Sequence, residues 1–282
     1  MKRRHLLAYC AAAALAAGLG AAPAQAQQKQ VLKAADVHPL GYPTVEAVER
    51  MGKKLNVFTM PFVFRDAQHM RKVIDGDIGK EMAEKVTANP NTKLVFLAWM
   101  DAGSRNVYTT KAIRKPDDLK GLKIRMMGNP IFVDTMNAMG GNGIAMGFNE
   151  LFSALQTGVV DGAENNPPTL LAQNHFQTPA GKIFSMTEHL IIPEILVYSR
   201  RSWDALSKED QALVAKFGRE TQMEQRQLWD AYTTQAVEKL KASGVTIVTD
   251  VDKKAFQASV DPVWKKYGSK YDALVKRIQA VQ

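Results

Sequence analysis

KGLKIRMMGNPIFVDTMNAMGGNGIAMGFNELFSALQTGVVDGAENNPP, residues Lys120–Pro168, decides how the chain is built. Leu122, Ile124 and Met126 alternate with Lys123, Arg125 and Met127, which is the period of a strand. Phe132, Val133, Met136 and Met139 then fall near helical spacing, until Gly140, Gly141 and Gly143 break the pattern. A second short strand leads to Met146, and Asn149 is predicted to cap a helix that buries Leu151, Phe152 and Leu155. Gly158 stops that helix. Val159-Val160-Asp161-Gly162-Ala163 reads as a third strand, ending in Glu164-Asn165-Asn166-Pro167-Pro168. The unit is β-α-β-α-β, and it puts Arg125 and Asn165 on strands or at strand ends, where open α/β sheets collect ligands.

The chain has 282 residues, and its first 26 read as a secretory signal peptide. Lys2, Arg3 and Arg4 make the basic start, Leu6 to Ala22 the apolar run and Ala24-Gln25-Ala26 the cleavage site. The Arg3-Arg4 pair is read as an ordinary basic start rather than a twin-arginine signal. Cys10 is the single cysteine and lies inside this leader, so the mature chain is expected in the periplasm without thiol or disulfide chemistry. The net charge of +9 is scattered, with no basic tract and no basic-aromatic motif, which speaks against nucleic acid as a partner.

Along the rest of the chain, Val31 to Ala35 is a first strand running into the polar loop Asp36–Pro43, and Thr44 can cap a helix through Leu55. His38 in that loop could meet a ligand anion or could be an ordinary surface or core histidine. Val57 to Phe64 is dense in apolar residues and broken by Pro61. Asp66 can cap a helix through Ile74, and another runs from Ile78 to Val86. Lys93 to Trp99 is almost wholly apolar and is expected to be a central strand covered on both faces. Asp101-Ala102-Gly103-Ser104-Arg105 turns into the next strand. Further strands are expected over Lys182–Thr187, Ile191–Ser199 and Val245–Val248, and interrupted helices over Phe256–Ile278. Ser207 starts a helix reaching Lys241, about 50 Å long at 1.5 Å per residue, too long for one small domain. Its apolar residues keep no heptad register, so it reads as a brace across two lobes, kinked near Gly218. These elements predict an α/β clamshell of two lobes with hinge strands. Lobe I takes residues 27–102 and 191–230, and lobe II takes 103–190 and 231–282.

Four histidines follow the leader, His38, His69, His175 and His189, and none has metal-ligand spacing. There is no nucleophile elbow, phosphate loop or full dinucleotide fingerprint, so no enzyme, cofactor or metal is expected. Asp161 and Glu164 read as turn or hinge residues before acid/base catalysts. The residue that stands out is Arg125, an arginine on an apolar strand. A buried guanidinium needs an anion, either an internal Asp or Glu or the carboxylate of a ligand. Asn165 and Asn166 could bond a ligand or tie the turn before Pro167-Pro168.

Leu119–Arg125 (LKGLKIR), Ala154–Pro168 (ALQTGVVDGAENNPP), Ser185-Met186-Thr187-Glu188-His189 and Asp101–Tyr108 (DAGSRNVY) together resemble the solute-binding proteins of tripartite ATP-independent periplasmic (TRAP) transporters, of the C4-dicarboxylate-binding type. The resemblance covers nearly all of the mature chain. It implies a non-catalytic periplasmic protein, expected to be monomeric, that captures an organic acid and hands it to membrane permease subunits. It also implies that Arg125 clamps the ligand carboxylate, that Arg105 is a second basic position, and that Asn165 holds the carboxylate or orients the arginine. The loop His38-Pro39-Leu40-Gly41-Tyr42-Pro43-Thr44 is similar to that of uronate-binding members, so a sugar acid is favoured over C4-dicarboxylates. One departure stands against the family pattern. Leu55 runs directly into Asn56-Val57-Phe58, where roughly forty to fifty residues, about three elements of ordinary length, are missing. That gap predicts an unpaired sheet edge, a weakened first lobe and a pocket open on one side.

Overall fold

The computed structural model describes residues 55–282. The leader, His38 with its loop and the first strand and helix lie outside the described residues. Eight strands form two sheets. β1 (Leu94–Met100) and β7 (Glu194–Ser199) pair antiparallel as a two-stranded sheet. The other six run in the order β4 (Asn142–Ala145), β3 (Lys123–Met126), β5 (Gly162–Asn165), β2 (Ser104–Thr109), β6 (Ile183–Ile191), β8 (Thr246–Val248). β4, β3 and β5 are mutually parallel, β2 is antiparallel to both of its neighbours, and β6 is parallel to β8. The predicted β-α-β-α-β unit is therefore the parallel part of the larger sheet. The chain passes between the sheets at 101–103 and again at 192–193, two adjacent crossings as expected of hinge strands.

Local chemistry explains most element boundaries. Asp66 caps the helix Ala67–Asp75 by accepting from His69 N at 2.7 Å. Gly158, at φ 74°, ends the helix Phe148–Thr157 in the left-handed conformation that glycine tolerates. Asn149 does not cap that helix. It begins at Phe148 after Gly147, with no side-chain cap, because Phe148 itself has been drawn into the first turn. Ser207 caps the helix Lys208–Ala242, which runs unbroken for 35 residues. The helix is continuous through Gly218. A Cβ there would stand 3.1 Å from Leu97 Cβ and 3.2 Å from Leu97 O, so the glycine serves a close approach of helix to β1. The long helix packs against β1 of one sheet and against the helix Pro167–Ala172 that follows β5 of the other, the position of a brace.

β1 departs from expectation. Among the described residues it pairs with β7 alone, and several of its residues are only half-buried. Its second edge is nevertheless not left bare. Phe96 N donates to Thr87 Oγ1 at 3.0 Å, Trp99 N to Gln222 Oε1 at 3.0 Å and Asp101 N to Gln225 Oε1 at 3.0 Å. Gln225 Nε2 returns a bond to Asp101 O at 2.8 Å, so this one side chain mimics a neighbouring strand. Asp101, at the crossing, is also held by Arg71, which bonds Asp230 as well, and Arg226 reaches Asp75 at 2.6 Å.

The buried apolar residues form two clusters, one on each face of the larger sheet. The first gathers Val57, Phe58, Met70 and Ile74 with Ile124, Met126 and Met136 and with Phe256, Val263 and Ile278. The second holds Tyr108, Leu151, Leu155, Ala163, Phe184 and Leu240. If Gln225 substitutes for a strand at the edge of β1, Gln225→Ala strands the Asp101 amide and lowers stability by about 1–2 kcal/mol. Thermal unfolding should show a melting temperature about 2–4 °C lower, and an unchanged melt would remove that role.

Candidate functional site

Three parallel strand ends converge on Arg125. It sits on β3 in register with Ile144 of β4 and Ala163 of β5, and Ala163 is in turn in register with Tyr108 of β2. Residues in register across a sheet share a face, and successive residues along a strand do not. Arg125, Ala163, Tyr108 and Asn165 therefore lie on one face, with the second apolar cluster. Glu164, in register with Val107, lies on the other face with the first cluster, and Arg105 has the same parity as Val107. The pleat separates the two arginines.

That separation settles which one meets the internal acid. Glu164 is fully buried, and it accepts from Arg105 Nε at 2.5 Å and from Arg105 Nη2 at 2.8 Å. Arg105 Nη2 also donates to the Glu164 carbonyl at 3.0 Å. Burial alone would raise the Glu164 carboxyl, but Arg105, with His189 adding, brings its pKa down to about 2. His189 Nε2 lies 3.5 Å from Glu164 Oε2, while its Nδ1 is 2.9 Å from Thr187 Oγ1. Glu164 thus anchors an ion pair, in keeping with the reading that set it apart from catalysts. Arg105 keeps one amino group, Nη1, without a hydrogen bond among the described residues.

Arg125 is 3% exposed, yet no carboxylate of the described residues lies within ion-pair distance of it. Its Nε donates to Met146 O at 2.9 Å, from the turn that follows β4. Its guanidinium lies 5.6 Å from the centroid of the Phe148 ring, a cation–π contact at the first residue of the next helix. Burial lowers its pKa, with Glu164 and Tyr108 opposing. A guanidinium stays charged in protein all the same. The side chain is fixed at Nε and across one face, and both amino groups of its fork remain for an anion.

His175 stands behind this arrangement, 2% exposed, with ring centroids 5.9 Å from Phe148 and 6.4 Å from Phe152. Its Nδ1 is 2.8 Å from the Tyr108 hydroxyl. Burial, then Glu164, pushes the Tyr108 phenol up, so the hydroxyl keeps its proton. The hydroxyl and Nδ1 share one hydrogen bond, and the imidazole is neutral. Burial, and after it the nearby Arg125, brings its pKa down to about 4.

The expected asparagines divide. Asn165 is buried on the Arg125 face, and its Oδ1 accepts from Asn166 N at 2.9 Å, leaving its amide nitrogen without a bond among the described residues. Asn166 uses both ends of its side chain within the fold. Its Oδ1 caps the helix Pro167–Ala172 at Thr169 N, 2.8 Å, and its Nδ2 donates to Ala102 O at 2.8 Å. It ties the strand end that carries Asn165 to the crossing segment. Asp161 accepts from Lys123 N at 2.7 Å, also a structural bond. The sequence reading gave no site role to Phe148, Tyr108 or His175. Phe148 could have been found as the aromatic residue nearest the C-terminal end of β4, but Tyr108 and His175 meet only through the fold. No group of His, Cys, Asp and Glu among the described residues could hold a metal ion.

Comparison with known proteins places the chain in a family. Residues 22–270 match the family model of the bacterial extracellular solute-binding proteins, family 7, and the chain belongs to that family. A solute-binding protein of Chromohalobacter salexigens is 34% identical over 228 residues, 80% of this chain and 66% of the relative. The chain thus spans about two thirds of that protein's length. A TRAP periplasmic solute-binding protein of Pseudomonas putida F1, solved with bound D-glucuronate, is 49% identical with a TM-score of 0.78, covering 87% of this chain and 95% of that one. Another from Xanthobacter autotrophicus Py2, with bound β-D-galacturonate, is 38% identical with a TM-score of 0.77, covering 83% and 78%. The α/β clamshell of the TRAP solute-binding type is the fold class of this chain.

The low pKa of His175 has a consequence for stability. Its folded pKa of about 4 lies below the ordinary 6.5, so the unfolded chain binds more protons between those values. His175 therefore stabilises the fold fully above pH 6.5, and that contribution, on the order of 3 kcal/mol, is lost as pH falls toward 4. Urea unfolding across this window should show the slope in the natural protein and a flatter one in His175→Gln. Equal slopes would mean that His175 is not neutral in the fold.

Proposed function

We propose that this protein captures a sugar acid of the uronate class in the periplasm and delivers it, chemically unchanged, to the membrane subunits of a TRAP transporter. The observation that carries the reading is the state of Arg125. It is buried and fixed at Nε, and its fork meets no acid among the described residues. Burying such a charge is unfavourable until an anion arrives, and the planar fork suits a carboxylate bound through two parallel hydrogen bonds. The Asn165 amide lies on the same face as a further donor for that acid. Arg105 is committed to Glu164 on the other face, and its place as a second basic position rests on the family resemblance. His38 belongs to this reading by the resemblance of its loop to uronate-binding members. Asn166 contributes by fixing the turn and coupling it to the crossing at Ala102. The glucuronate and galacturonate in related structures favour a uronate over a C4-dicarboxylate.

Closure follows from two facing lobes, because a ligand that touches both only in the closed form shifts the population toward it. The hinge lies at the crossings near Gly103 and at 192–193. The absence of a nucleophile or metal constellation in the sequence supports binding over catalysis.

Calorimetric titration with D-glucuronate, D-galacturonate and succinate tests the reading. Uronates should bind more tightly than succinate. Arg125→Ala should weaken uronate binding by at least about a hundredfold, the worth of two charge-assisted hydrogen bonds. An Arg125→Ala protein with unchanged affinity would overturn the assigned role. No binding of any acid by the folded natural chain would mean that the segment missing after Leu55 is needed for capture.

A further inference from the structure

The long helix Lys208–Ala242 buries one face, through Gly218, Arg226, Ala236 and Leu240, against β1 and the helix Pro167–Ala172. Its opposite face carries four large apolar side chains in the open: Leu213 is 47% exposed, Phe217 53%, Leu228 63% and Tyr232 37%. At 3.6 residues per turn these four fall within about 100° of one another. Isolated exposed apolar residues are ordinary, but a row of four on one helix face is a candidate interaction surface.

The row has an internal symmetry. Leu213 and Phe217 are separated by one helical turn, as are Leu228 and Tyr232, and both pairs are equidistant from the point between Gln222 and Met223. A two-fold axis through that point lays Leu213 on the partner's Tyr232 and Phe217 on the partner's Leu228, twice over. Such self-matching is the requirement of a symmetric pair, in which one patch must complement itself. Charge agrees at the ends. Asp210 in the first turn and Lys239 in the last lie on the same face as the row, so antiparallel pairing sets each Asp210 about one turn from the partner's Lys239 and opposes the helix dipoles. Glu224 is the one charged residue near the centre of the row, and it would face the partner's Thr221.

We propose that this face is an interface between two copies of the chain, paired antiparallel along the long helix. The expectation of a monomer from the sequence is thereby replaced for concentrated protein. Four half-exposed side chains of this size supply roughly 400 Å² per copy, or about 800–1,000 Å² with their surroundings, which is at the low end for specific pairs. The pair is therefore weak and reversible, and Glu224 keeps it so.

Sedimentation velocity of the full chain, from low micromolar to several hundred micromolar, reads this out. A concentration-dependent monomer–dimer equilibrium is expected. Phe217→Glu should weaken it by at least about tenfold, with an unchanged thermal melt as the control for folding. Glu224→Leu should tighten it by about tenfold, since it removes a charge from the apolar row. Combining Phe217→Lys with Leu228→Glu in one chain should restore the pairing that Phe217→Lys with Leu228→Lys abolishes. A strictly monomeric protein, even with Glu224→Leu, would overturn the proposal. So would a dimer indifferent to Phe217→Glu, because the contact would then lie elsewhere, and so would equal behaviour of the two double variants.

Discussion

The ion pair between Arg105 and Glu164 is the interaction on which the site depends. Glu164 is buried to completion, and an unpaired carboxylate there would be strongly destabilising. Arg105 meets it through Nε and Nη2, and His189 lies alongside. The internal acid is therefore spent on one face of the sheet. On the other face, Arg125 has the Met146 carbonyl, the Phe148 ring and, among the described residues, no acid in ion-pair contact. Alternation of side chains along β5 is what keeps Glu164 away from Arg125, since Ala163 and not Glu164 stands in register with it. A cation without an acid among the described residues is an unsatisfied demand, and the proposed role of the ligand carboxylate is to meet it.

The surroundings hold Arg125 in place from several directions. Three parallel strand ends bring together residues from β3, the turn after β4 and β5. Burial, and after it Arg125, keeps His175 a neutral imidazole beside Tyr108, so no second positive charge builds up behind the aromatic ring that carries the guanidinium. Asn166 ties the end of β5 to Ala102 in the crossing, and Gln225 with Arg71 ties Asp101 to the brace helix. Ligand site, crossing and brace are thus joined by hydrogen bonds through consecutive residues 101 and 102.

Much of this was legible in the sequence, because hydrophobic period and turn chemistry are local. The β-α-β-α-β unit, the Ser207 and Asp66 caps and the glycine at Gly158 needed no tertiary information. The choice between Arg125 and Arg105 as partner of an internal acid did need it. Strand parity hinted at the answer, but only the register of β3 on β5 and β2 on β6 decides it. A helical glycine has two explanations, flexibility and close approach, and the position of Leu97, which only the fold supplies, shows the close approach at Gly218. β1 was read as a central strand from its apolar run, but such a run says that a strand is shielded, not by what. Here glutamine side chains of the long helix take the place of a neighbouring strand. The exposed row on that helix was invisible as a pattern because its symmetry is two-fold rather than heptad.

The central claim is that affinity comes from a carboxylate satisfying Arg125. Its most direct test compares D-glucuronate with D-glucose, which replaces the carboxylate by a neutral hydroxymethyl group, in the natural protein and in Arg125→Ala. The account predicts a preference for glucuronate of at least about a hundredfold that disappears in the variant. A preference of equal size in both proteins would contradict it, since the carboxylate would then be held by other residues.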